Sequence, residues 1–345
     1  MLGTELIDHE IDNPARNDAV LVEVTRGDRV ESVHRGHAVI CDADGEVTWS
    51  LGDPQAIIYP RSSCKMIQAL PLIESGAAKA AGLGPRELAL ACASHQGAAI
   101  HSGPISEWLT RQGFADEDYR CGAETPRDKP TREALIRAHG APRQIHNNCS
   151  GKHAGFLTLN RHLRGGPDYE LPDHPVQQAV RAAFEEVTGE PSPFYGIDGC
   201  SAPNFATSMT GLARAMARFA AARPDGDARE RAMVRLREAM VAHPELVAGE
   251  GRACTELMRA MDGVAIKTGA EGVFVAILPA QRLGVAVKIT DGTTRASECA
   301  VAALLVRLGV LDPAHPATVR RMRPMLRNWR GTEVGAIRPA PALLG

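Results

Sequence analysis

Val264-Ala265-Ile266-Lys267-Thr268-Gly269-Ala270-Glu271-Gly272-Val273-Phe274-Val275-Ala276-Ile277-Leu278, continued by Pro279-Ala280-Gln281-Arg282-Leu283-Gly284-Val285-Ala286-Val287-Lys288-Ile289, is the stretch that decides the architecture. Residues 264–267, 273–278 and 285–289 are short β-prone runs. The Gly-bearing segments 269–272 and 281–284 between them are turns, so the run reads as an antiparallel three-stranded meander. A helix is predicted over 294–308, with Ala300, Ala303, Leu304 and Val306 among its apolar residues and Gly309 as its stop. At the other end of the chain, 19–24 alternates in polarity. There, 37–41, the turn Asp42-Ala43-Asp44-Gly45 and 46–51 read as a hairpin. Between these strand-rich ends, 63–74, 85–92, 131–138, 175–188, 204–222 and 228–242 carry helical periodicity or Ala-rich composition. The fold class that follows is α+β: the N- and C-terminal strands share one antiparallel sheet, flanked by helices, with a helical insertion between them. The expected division is a leader over 1–17, one catalytic domain over 18–337, and a tail over 338–345. Within that domain, 18–60 and 260–312 are strand-rich and 61–259 is the insertion.

Composition narrows the function. The 345 residues are 44% hydrophobic and 23% charged, which supports a large core and excludes intrinsic disorder. Lys+Arg of 39 against Asp+Glu of 41 leaves a formal charge of -2, with no basic excess for a phosphate backbone, and aromatics are only 4%. No nucleic acid partner is expected. The longest apolar run, 273–279, is far short of the ~20 residues that span a bilayer, so no membrane partner is expected either. Glu5, Asp8, Glu10 and Asp12 stand where a signal peptide carries basic and apolar residues, which predicts a cytoplasmic protein. The eight cysteines form no C-x-x-C pair and read as reduced, mostly buried thiols.

Several clusters carry chemistry. Ser62-Ser63-Cys64-Lys65 meets a helix start, and serine and lysine at i, i+3 share one helical face. A serine hydroxyl needs a neighbouring base to become a nucleophile, and a desolvated lysine supplies one. Taken alone, a serine at a helix start is more often a cap. Lys267-Thr268-Gly269, placed late and on a strand, is the partner motif of Ser-x-x-Lys in serine β-lactamases and penicillin-binding proteins. Ala93-Ser94-His95 offers a second serine, whose bland reading is a helix C-cap. Cys149 and His153 at i, i+4, with Cys200, have the makings of a three-ligand zinc site, and Asp198 is a fourth ligand or its hydrogen-bond acceptor. Plain buried thiols are the alternative.

Arg61-Ser62-Ser63-Cys64-Lys65, Gln68-Ala69-Leu70-Pro71, Ala93-Ser94-His95, Asn147-Asn148-Cys149-Ser150-Gly151-Lys152-His153, His174-Pro175-Val176-Gln177, Asp198-Gly199-Cys200 and Lys267-Thr268-Gly269-Ala270-Glu271-Gly272 occur in order. Together they resemble the L-asparaginase II family, the rhizobial-type or class 3 asparaginases, from about residue 19 to about residue 337. The resemblance implies a serine β-lactamase-like fold, a homodimer, and hydrolysis of L-asparagine to aspartate and ammonia. It further implies two Ser-Lys pairs, Ser62 with Lys65 and Ser94 with Lys267. It implies zinc on Cys149, Lys152 and Cys200, in place of the His153 that spacing alone suggests. Arg61, His153 and Asp198 are then expected to bind substrate. Ser63-Cys64 departs from the small residues usual between the family's serine and lysine.

Amide hydrolysis through an acyl-enzyme suits these groups, because two nearby lysines depress each other's pKa and leave one neutral near pH 7. The rival readings are a serine-dependent glutaminase, a β-lactamase or penicillin-binding activity, and a zinc- or amino-acid-binding protein on a degenerate enzyme scaffold.

Overall fold

The computed structural model describes residues 17–344; the expected leader, up to residue 16, lies outside the described residues. Twelve strands are present among them. They are β1 (Ala19–Arg26), β2 (Arg29–Cys41), β3 (Val47–Leu51), β4 (Ile57–Ile58), β5 (Tyr195–Ile197), β6 (Pro203–Phe205), β7 (Thr207–Ser208), β8 (Ala265–Thr268), β9 (Val273–Leu278), β10 (Leu283–Ile289), β11 (Met325–Arg327) and β12 (Glu333–Pro339). The main sheet runs β11-β12-β1-β2-β10-β9-β8, with β3 also on β2, and its pairings are antiparallel. The meander and the N-terminal hairpin therefore meet at β2 and β10, where Gly284 pairs with Cys41 and Ile289 with Gly36. This is the α+β sheet built from both chain ends.

Every residue of β9 is buried, as expected of a strand whose two faces are both covered. Helices Met209–Ala221 and Thr294–Arg307 pack on the sheet. The first approaches so closely that a Cβ on Gly284 would stand 2.1 Å from the Ala217 nitrogen and 2.2 Å from the Ala213 oxygen. Only a glycine fits there.

Helices Pro175–Thr188 and Ala228–Ala242 occupy their predicted spans. Others differ for local reasons. The helix expected over 63–74 is three pieces, a 3-10 turn Arg61–Cys64, then Lys65–Gln68, then Leu70–Glu74, because Pro71 has no N–H to continue a ladder and instead opens the third piece. Residues 203–208 form β6 and β7 before the helix begins at Met209, where the Ser208 hydroxyl caps the Gly211 N–H at 2.8 Å. Among the helices that escaped the periodicity are two long ones: Ala99–Arg111, whose Gly103-Pro104 reads as a break, and Ser150–Leu163, which starts inside the polar motif. Of the expected tail, the described residues 338–344 are packed on the body. β12 runs through Pro339 on β1, the Ala340 N–H donates to the Leu21 carbonyl at 2.9 Å, and Leu343 is buried.

Candidate functional site

The loop from β4 into the first helical turn delivers Ser62. Arg61 takes a left-handed φ of 53°, uncommon for a side-chain-bearing residue, and its N–H donates to Asn204 Oδ1 at 3.2 Å. Its guanidinium grips Asp198 through Nε at 3.2 Å and Nη2 at 2.8 Å. The Ser63 hydroxyl closes onto the Pro60 carbonyl at 2.7 Å, and the Cys64 thiol onto the Arg61 carbonyl at 3.1 Å. Those side chains are therefore occupied within the turn. Among the described residues the Ser62 hydroxyl has no hydrogen-bond partner, and Ser62 lines an open cleft of about 590 Å³. Gly269 lets the turn after β8 press against this loop, since a Cβ there would meet the Pro60 oxygen at 2.7 Å.

Ser94 lines the same cleft, its N–H tied to the Val247 carbonyl at 2.9 Å. Its hydroxyl is buried without a partner, a cost that a native chain rarely accepts unless something else satisfies it. Lys65 and Lys267 are both buried, Lys65 against the cleft residue Cys149 and Lys267 next in the chain to the cleft residue Thr268. Lys65 Nζ donates to the Ala93 carbonyl at 2.5 Å and to Cys149 Sγ at 3.1 Å, and Lys267 Nζ donates to the Thr268 carbonyl at 2.7 Å. Burial brings the Lys267 amine down from 10.5 to about 7; the Cys254 thiol opposes this, while the charges of Lys65 and Arg252 add to it. The four residues of the two expected Ser-Lys pairs thus converge from segments some two hundred positions apart. Neither serine is hydrogen-bonded to its lysine in this state.

Cys149, Lys152 and Cys200 also converge. Cys149 immediately precedes helix Ser150–Leu163, Lys152 sits in its first turn, and Cys200 comes from the turn after β5. Lys152 Nζ stands 3.0 Å from Cys200 Sγ. A hydrogen bond from Cys149 holds the Cys200 thiol well below its ordinary pKa, aided by the Lys152 charge, and the same bond pushes Cys149 upward. No group of three His, Cys, Asp or Glu suited to a metal occurs among the described residues. Two sulfurs suit a soft divalent ion, but Lys152 joins them only on giving up its proton, and although burial favours that loss, the charges of Cys200 and Cys149 outweigh it and push its pKa up.

His153 sits apart from the other expected site residues. It does not line the cleft: its ring is buried behind Lys152 and bonded through Nδ1 to the Tyr169 hydroxyl at 2.9 Å, among Tyr119, Phe156 and Tyr169. As an aromatic cluster member it packs the helix that presents Cys149 and Lys152. Arg61 and Asp198, by contrast, are both on the cleft wall. Glu124 and Arg127 line the cleft too and were not singled out from sequence, whereas Asn148 and Arg252, which also line it, stand among the residues that carry the family resemblance, though with no role assigned. Glu124 accepts from the Asn148 N–H at 2.9 Å and from its side-chain amide at 2.6 Å, and pairs with Arg127 at 3.3 Å.

Residues 22–339 match the sequence profile of L-asparaginase II, nearly the whole described chain. The chain belongs to the L-asparaginase II family. No curated protein matches it. Among solved structures, this L-asparaginase II family member is similar to a β-lactamase from Mycobacterium bovis, at 13% identity over 78% of this chain and 93% of that one, with a TM-score of 0.37. It is also similar to a structure titled Mglu in its native form, at 16% identity over 81% of this chain and 66% of that one, with a TM-score of 0.37. Both values are low, and the chemistry has to be read from the chain's own residues. No helix of the described residues is long and apolar enough to cross a membrane.

Proposed function

We propose that this member of the family hydrolyses the side-chain amide of L-asparagine to L-aspartate and ammonia, with Ser62 as the nucleophile. The observation that carries the reading is an unbonded Ser62 hydroxyl lining a cleft that Thr268 also lines, next in the chain to the buried Lys267, whose amine is brought down to about 7. A serine hydroxyl must lose its proton as it attacks, and an amine near 7 is divided between acceptor and donor forms at neutral pH. In the acylation step the Ser62 oxygen bonds to the amide carbon, its proton passes to a neutral amine, and the C–N bond breaks as that proton reaches the departing ammonia. Water then repeats the sequence on the ester and frees aspartate and Ser62. Lys267 is the residue we assign to the proton, with the unpartnered Ser94 hydroxyl as relay. Lys65, held by Ala93 and Cys149, supplies the neighbouring positive charge.

Cys149, Lys152 and Cys200 would hold a zinc ion at the wall of the same cleft. Bound there, zinc would supply a positive, Lewis-acidic charge next to the substrate. Metal content of Cys149→Ser and Cys200→Ser tests the ligand set: unchanged zinc in both returns these thiols to plain packing. The family also implies a homodimer, which light scattering of the purified protein tests.

The deciding assay is ammonia release from L-asparagine and L-glutamine, with and without a chelator, alongside turnover of a chromogenic cephalosporin. Preference for glutamine would move the substrate by one methylene, a change worth only ~1–3 kcal/mol in a pocket. Cephalosporin turnover without ammonia release would replace the amidase reading altogether. Substrate binding with neither reaction would make the chain a binding protein.

A further inference from the structure

Three arginines line the cleft, Arg61, Arg127 and Arg252, and they differ in what already holds them. Arg61 is clamped on Asp198, which lies as close as 2.8 Å, and Arg127 is paired with Glu124 at 3.3 Å. The Arg252 side chain, half-buried, makes no hydrogen bond or ion pair among the described residues. Its backbone, in contrast, is firmly placed. The Glu250 carbonyl takes a bond from the Gln96 amide at 3.0 Å, the Gly251 carbonyl takes one from Arg321 at 2.6 Å, and the Arg252 N–H donates to Gly249 at 3.3 Å. The same strip of chain holds Ser94 through Val247. Arg252 is thus a fixed, unneutralised guanidinium beside the reacting groups, close enough to Lys267 for its charge to act on that amine.

A guanidinium left without a counter-charge in a half-buried site is a fork waiting for a planar anion, and a carboxylate matches it in a bidentate manner. Resting on the amidase reading, we propose that Arg252 binds the α-carboxylate of the amino-acid substrate and so determines specificity for free amino-acid amides over amides that lack a carboxylate. Arg61 cannot take that role without giving up Asp198. Arg127 sits at the exposed rim and is already neutralised by Glu124.

The test compares the full-length protein with Arg252→Gln and Arg252→Lys on L-asparagine and on β-alaninamide, which is asparagine without its α-carboxylate. Because the side chain has no partners, both variants should melt with the parent. Arg252→Gln should raise KM for asparagine about tenfold to a hundredfold, with kcat within about threefold. Its kcat/KM on β-alaninamide should stay within about threefold of the parent. Arg252→Lys should fall between, keeping the charge and losing the fork. Equal losses on both amides would mean that Arg252 acts through Lys267 or the backbone, and would overturn the assignment. Calorimetric binding of L-aspartate separates this from the amidase reading, and decides the matter if β-alaninamide is too slow to follow. If the parent releases no ammonia but binds L-aspartate about tenfold or more tighter than Arg252→Gln does, the carboxylate site stands and the amidase reading falls. If parent and variant bind L-aspartate equally, or neither binds it, the carboxylate site falls.

Discussion

Replacing Lys267 with methionine should stabilise this protein at neutral pH while abolishing its activity. The amine is fully buried, and its fall from 10.5 to about 7 means that the folded chain holds that proton less tightly than the unfolded chain does. At ~1.36 kcal/mol per pH unit, that difference sets a ceiling of about 5 kcal/mol on the cost of carrying a charged Lys267 in the fold. The sign follows from proton counting. Below the folded value both states are charged and the full cost applies. Between the folded and unfolded values the unfolded chain binds more protons, so stability rises with pH and the cost disappears by 10.5. Methionine has nearly the same length and no charge, so the Lys267→Met variant escapes the cost at every pH. Relaxation around a charged lysine lowers the realised gain to about 1–3 kcal/mol near pH 7. Urea denaturation of parent and variant should show that gain shrinking by about 1–2 kcal/mol between about pH 7 and about pH 9. A variant less stable than the parent near neutrality, or a gap that ignores pH, would refute a buried amine held near 7. Appreciable ammonia release by the folded variant would refute the assignment of the proton transfer to Lys267.

Ser62→Ala should remove turnover by at least about a thousandfold without lowering the melting temperature, because the hydroxyl bonds to nothing in the fold. Adding Ser94→Ala to it should cost little more, as expected of groups acting as a unit; two full, additive losses measured by kcat would separate them. For the parent protein, kcat/KM should rise with pH through about 7 as Lys267 becomes neutral, and a flat profile there would place the base elsewhere. Gly284→Ala drives a methyl into the backbone at Ala213 and Ala217 and should cost about 1–3 kcal/mol by urea denaturation. Unchanged stability would mean that the helix yields freely.

Much of the architecture is written locally. Pro175 and Asp227 mark helix starts: Pro175 occupies a position whose N–H goes unused in any helix, and Asp227 with Glu230 forms a capping box. The apolar run 273–278 and the glycines around it read as a covered strand because each side chain answers to its own position and the alternation of a pleat. Local reading fails where a motif is selected for something other than its element. Helix Ser150–Leu163 opens on Ser150-Gly151-Lys152-His153, residues chosen for what they face and not for helical periodicity. Gly103-Pro104 likewise hides a helix whose stability comes from buried His101, Ile105, Trp108 and Leu109.

The site divides along the same line. Ser62, Lys65, Ser94, Cys149, Lys152, Asp198, Cys200 and Lys267 could be picked out from sequence because each stands in a short motif whose residue types already suggest its chemistry. What each group does depends on neighbours that no motif contains. His153 and Lys152 are adjacent in the chain, yet one turns into an aromatic cluster and the other reaches a thiol. Arg61, Arg127 and Arg252 are alike as letters, and only folding shows that Asp198 and Glu124 neutralise the first two and leave the third alone. The Lys267 amine falls to about 7 because strands and helices from both ends of the chain exclude water around it and bring Lys65 and Arg252 near. Periodicity and capping act over three or four residues, whereas desolvation and charge pairing sum over everything that surrounds a group in space, so the first are legible in the sequence and the second exist only once it has folded.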